Sequence, residues 1–236
     1  MANRIVVEIC VESVDHAVAA ERGGADRIEL CSDLACGGVT PNPALMRAAR
    51  QQVRIPIHGM IRPRSGNFYY SEHEFETMKR EIDVAKEIGL DGIVLGLLDE
   101  DMQVDRERTR ALVQLAHPLP VTFHRAFDLC PDLTTALEAV IETGAKRILT
   151  SGGKERVVDG LTNVAHLLTT AGDRIVVMPG GGIRRGNVES ILRRARPGEI
   201  HTSLGGCGTK PALFEAKAQK FKRAVETLTF GPLHFP

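Results

Sequence analysis

The sequence predicts a single-domain α/β protein, a TIM (β/α)8 barrel whose parallel eight-stranded closed sheet is built from residues 1–236. Three observations carry that expectation. Eight short apolar segments begin at residues 5, 27, 55, 92, 121, 147, 174 and 199, and intervals of 22 to 37 residues leave room for a strand, a helix and two turns each. Each segment is followed by a stretch with helical periodicity. The dinucleotide fingerprint is missing: Gly180-Gly181-Gly182 has Arg185 where the last glycine of G-x-G-x-x-G belongs. Alternating strands and helices without that fingerprint favour a closed barrel over an open doubly wound sheet, and no nucleotide cofactor is expected.

Taken in order, residues 5–10 form strand one, and Ser13 caps a helix that stops at Gly23-Gly24. Strand two covers 27–31, and a small-residue loop over 35–41 leads to a helix over 43–52. Strand three covers 55–61, followed by a basic turn over 62–66. Ser71 and Glu74 are spaced as a capping box for a helix that buries Phe75, Met78, Ile82 and Ala85 before Gly89. Strand four covers 92–98 and its helix 105–117. Strand five, 121–128, holds Thr122, His124, Arg125 and Asp128 inside an otherwise apolar run, and a polar group buried there is costly unless paired or used. Strands six, seven and eight cover 147–153, 174–182 and 199–203, and the last helix runs over 211–228.

Composition narrows the function. The chain has 43% hydrophobic residues, and 30 basic residues balance 30 acidic ones without a run of like charge, so neither nucleic acid nor a membrane surface is an expected partner. No apolar run approaches the length of a membrane span, and the amino terminus leads straight into a strand, which predicts a cytoplasmic protein. Five cysteines, an odd number with no C-x-x-C pair, read as reduced thiols.

The chemistry of a barrel belongs at the carboxyl ends of its strands. Glu8 and Cys10 on strand one repeat as Glu29 and Cys31 on strand two, and residues two apart on a strand share a face. If the two thiols stand level, they could clamp one soft cation, since thiolates select copper(I), zinc or iron–sulfur; the alternative is two small buried apolar residues. Arg62 and Arg64 could hold a carboxylate or phosphate, or pair with Glu8 or Glu29. Gly181 and Gly182, with Ser151 and Ser203 on neighbouring strands, offer an anion a place in the mouth. His124, Asp128 and Glu29 are the candidate proton-moving groups, and Arg125 and His201 complete the polar mouth.

Glu8-Ile-Cys10, the 23–31 segment ending Arg27-Ile-Glu-Leu-Cys31, Gly37-Gly-Val-Thr-Pro41, Met60-Ile-Arg-Pro-Arg64, Phe123-His-Arg-Ala-Phe-Asp128, 147–152 and 177–183 together resemble the CutC family of copper homeostasis proteins. The resemblance spans about residues 5–204. It implies a cytosolic TIM barrel, dimeric or larger, that handles copper, with copper(I) on Cys10 and Cys31 and with Glu8 and Glu29 balancing charge. After about residue 205 the chain departs from the family in a short basic helix and tail. The alternative is a barrel enzyme acting on a small anionic metabolite, a phosphate or carboxylate. In that reading Arg62, Arg64 and the glycine loop hold the anion.

Overall fold

In the computed structural model, which describes residues 4–205 and 208–228, eight parallel strands are wrapped by eight α-helices. The strands are β1 (Val6–Val11), β2 (Arg27–Leu30), β3 (Ile57–Met60), β4 (Gly92–Leu95), β5 (Val121–Phe123), β6 (Arg147–Thr150), β7 (Val176–Pro179) and β8 (Glu199–Thr202). The helices are α1 (Val14–Arg22), α2 (Pro43–Gln52), α3 (Glu72–Ile88), α4 (Arg106–Ala116), α5 (Leu133–Thr143), α6 (Leu161–Ala171), α7 (Val188–Ala195) and α8 (Pro211–Glu226). Each hydrogen-bonded neighbour is the next strand in sequence, and β8 returns to pair with β1. β7 and β8 lie side by side without a ladder, so the eight parallel strands form a nearly closed barrel, the (β/α)8 architecture the sequence predicts.

Local chemistry sets the helix ends. Ser13 accepts from the His16 N–H, Asp105 from Arg108 and Asp132 from Thr135, each satisfying an N–H that the first turn leaves free. Ser71 and Glu74 complete the expected capping box. Gly89 and Gly144 end α3 and α5 in the left-handed conformation that only glycine adopts without strain.

Apart from β1, the strands are shorter than their apolar runs. The largest correction is at strand five: β5 ends at Phe123, and Arg125–Leu129 turn into a short 3₁₀ helix. His124 starts that turn because its ring Nδ1 accepts from the Ala126 N–H at 3.2 Å. The apolar core lies between strands and helices, with Ile28, Ile57, Met78, Ile82, Leu112, Ile191, Phe214 and Phe221 among its buried members. α8 packs on α1, and Lys222 reaches Asp26 at 2.5 Å. Among the described residues no helix is long and apolar enough to cross a membrane.

Candidate functional site

The strand faces that turn into this barrel carry charge where most barrels carry branched apolar side chains. Register sets the layers: Glu8 pairs with Arg27 on one side and His201 on the other, Cys10 with Glu29, and Glu29 with His58. In the lowest layer the Arg27 guanidinium donates to Glu8 at 2.5 Å and Glu199 at 2.6 Å, and Arg147 donates to Glu199 at 2.7 Å. Glu8 is fully buried. Burial alone would push its carboxyl up, but Arg27, His201 and His58 together hold it well below the usual carboxylate range. A buried carboxylate this well paired keeps its charge, and it orders the layer above.

That layer is built on His201, whose Nδ1 lies 2.8 Å from Glu8 Oε1. Its Nε2 lies 3.9 Å from Glu29 Oε1. Burial opposes the charged imidazole, yet Glu29 and Glu8 raise its pKa above the ordinary value. Burial pushes Glu29 up in turn. Glu29 Oε2 is buried without a hydrogen-bond partner, an arrangement that costs roughly 1–3 kcal/mol unless something else binds there.

Cys10 and Cys31 close this group from above. Cys10 stands opposite Glu29 in the ladder, so the thiols are diagonal rather than level, yet the tilt of barrel strands brings their sulfurs to 3.5 Å. The contact with Cys31, burial and the nearby Glu29 carboxylate push the Cys10 thiol well up. Cys10, Glu29 and His201 each offer one donor atom within 4.8 Å of the others. The donor set therefore fits a soft or borderline metal. At a metal–sulfur distance of ~2.3 Å, sulfurs 3.5 Å apart accommodate one ion at a bent angle of about 100°.

Above the thiols opens a cavity of about 470 Å³, lined by Cys10, Glu29, Arg62, His124, Arg125, Gly181, Gly182, His201 and Ser203 among others. This is the carboxyl end of the barrel, where the sequence places the mouth. Burial and the Arg62 charge lower His124 to about 3, so its imidazole is neutral. Its Nδ1 accepts from Ala126, which leaves the proton on Nε2.

Several expected mouth residues stand elsewhere. Arg64 turns outward, because Pro63 bends the chain between the two arginines, and pairs with Glu74 of α3 at 2.5 Å. Asp128 does not face His124 as a base. It accepts from Arg125 at 2.8 Å, from Thr150 at 2.5 Å and from the N–H groups of Ser151 and Gly153 at 3.0 Å, which fully engages it in fixing the loop after β6. Ser151 is buried in that same network. Glu8 and Cys31 lie beneath the cavity rather than in its wall, and Glu8 pairs with Arg27, not with Arg62 or Arg64. Of the cysteines given no role, Cys36 is exposed and lines the cavity, Cys130 is buried, and Cys207 lies outside the described residues.

Sequence reasoning missed Arg27, Glu199 and Arg147, the counter-charges that make buried Glu8 affordable. The signal was present, since Arg27 and Glu29 share a strand face. It also missed Met60 and Phe68 in the cavity wall, whose apolar side chains give no such sign.

The family model described as CutC matches residues 5–206. The human protein named copper homeostasis protein cutC homolog is 49% identical over 202 residues, covering 86% of this chain and 74% of that protein. A CutC family protein from Chromobacterium violaceum is 45% identical over 201 residues, covering 85% and 81% respectively. The crystal structure of a CutC protein from Streptococcus agalactiae superposes with a TM-score of 0.80 at 32% identity, covering 84% of this chain and 98% of that one. With a shared barrel and a match along most of its length, the chain belongs to the CutC family.

Proposed function

We propose that this protein serves copper homeostasis in the cytoplasm by binding copper(I) through the thiolates of Cys10 and Cys31. The observation that carries the reading is the 3.5 Å approach of the two sulfurs, Cys10 at the floor of the cavity and Cys31 just beneath it. Soft sulfur donors favour a soft monovalent cation over hard ions. Glu29 and His201 lie beside the pair and supply a carboxylate and an imidazole to balance charge and take up protons. Binding requires the thiols to lose their protons, so uptake is coupled to proton release. In this reading copper is cargo, loaded and unloaded through the open mouth.

The test is a competitive copper(I) titration of the reduced protein against a chelator of known affinity, with Cys10→Ser/Cys31→Ser alongside. One tightly held ion per chain in the parent and none in the double variant is the expected result. Binding that is indifferent to the two cysteines would overturn the reading.

A further inference from the structure

The copper reading uses only the floor of the cavity and leaves its wall unexplained. Arg62 is 4% exposed. Its Nη1 donates to the carbonyls of Cys36 at 3.1 Å and Gly38 at 2.8 Å, and its Nη2 to the carbonyl of Gly66 at 2.9 Å. The Phe68 ring lies 4.7 Å from the guanidinium carbon. All of these partners are neutral, so a full positive charge is held in the wall without a counter-ion among the described residues. Its Nε–H is buried without a well-formed hydrogen bond, with the Tyr70 hydroxyl, itself unpaired, beside the guanidinium. A guanidinium has five N–H donors, and three hydrogen bonds leave part of the fork free.

His124 lines the same cavity. Its tautomer is set by the Ala126 N–H, which donates to Nδ1, so Nε2 carries the hydrogen and is a donor. That nitrogen is also buried without a partner. The ring is held from two sides, by Phe68 at 4.9 Å between centroids and by Gly96, where an added Cβ would fall 2.4 Å from Nδ1. Arg125 also lines the wall, but Asp128 offsets its charge at 2.8 Å.

We propose that the cavity binds a small organic anion, a carboxylate or phosphate on a compact polar molecule, with Arg62 as the charge anchor and His124 as a fixed neutral donor. A space of about 470 Å³ lies within the usual range for small-molecule sites. The cationic wall around Arg62 differs in chemistry from the thiol and carboxylate floor of the same cavity. The anion site goes beyond the copper reading and does not rest on it. Because Cys10 and Gly181 line the same space, the bound molecule sits over the thiols.

The experiment is a thermal-shift and calorimetric titration of the full chain with inorganic phosphate, 2-phosphoglycolate and malonate, and with sodium chloride at matched ionic strength as the control. The parent should be stabilised in proportion to ligand concentration by at least one of the three anions and not by chloride. Phosphate and phosphoglycolate against malonate identify which acid group is taken. Arg62→Gln should weaken binding roughly 10- to 100-fold and His124→Phe about tenfold. Arg62 also ties two loops together, so if Arg62→Gln does not fold, His124→Phe decides. No concentration-dependent stabilisation by any of the three anions, or stabilisation unchanged in the folded variants, would overturn the proposal.

Discussion

The sulfur of Cys10 lies 3.5 Å from that of Cys31 although the ladder sets Cys10 opposite Glu29. The pair is thus a product of strand tilt rather than register, and both thiols are free and buried, in contrast to exposed Cys36. Brief treatment with iodoacetamide should modify Cys36 before Cys10, Cys31 and Cys130, which stay largely unlabelled until the chain is denatured. Peptide mass spectrometry reads the order. Early labelling of Cys31 would contradict the packing described.

Arg27 serves two carboxylates, fully buried Glu8 and half-buried Glu199. Replacing it by Met leaves Glu8 charged and short of its main partner, and breaking a buried pair in this way costs about 3–5 kcal/mol. Urea denaturation of Arg27→Met should show that loss. Arg27→Met/Glu8→Gln should recover part of it, because the uncompensated charge is gone.

Acid should weaken the fold earlier than carboxylates alone would dictate. Burial lowers His124 to about 3 and, with Arg27 and Arg147 nearby, His58 to about 4. In the unfolded chain both take up protons near a pH of about 6.5. Their contribution is therefore complete above that pH and is lost as pH falls toward the folded values, because the unfolded state binds the extra protons. Each histidine adds a slope of up to ~1.4 kcal/mol per pH unit in that window. Stability measured from pH 7 to 5 should fall less steeply in His124→Phe than in the parent.

Gly96 needs no unusual backbone angle, yet a Cβ there would lie 2.4 Å from His124 Nδ1 and 2.5 Å from its Cε1. Gly96→Ala should therefore act purely by steric displacement. The ring must move and give up its bond to Ala126, at a cost of about 1–3 kcal/mol. The histidine's NMR signals should shift while α3 and its capping box stay unchanged.

The eight βα units were legible because their punctuation is local: Ser13, Ser71 and Gly89 begin or end helices through bonds within one turn. The Glu8, Cys10, Glu29 and Cys31 repeat was legible because alternation along a strand fixes facing. What failed depends on contacts a linear pattern does not carry. The run after Phe123 keeps a strand-like composition, but one side-chain-to-backbone bond from Ala126 to His124 turns it. Arg62 and Arg64 look equivalent in sequence; the carbonyls of Cys36, Gly38 and Gly66 draw one into the wall, while Glu74 draws the other out. Asp128 reads as a free carboxylate until the loop after β6, far along the chain, supplies its donors.

The hydrogen bond from His201 to Glu8 spans 193 residues. Cys10, Glu29 and Cys31 come from the first two strands, whereas His201 arrives on the last. Three of the four groups of the candidate centre are therefore encoded in one short-range strand–helix–strand segment, and the fourth joins them only after the chain has come full circle. An integral site is in this sense a readout of topology: any event that lifts β8 from β1 separates the imidazole from the thiols without touching either cysteine.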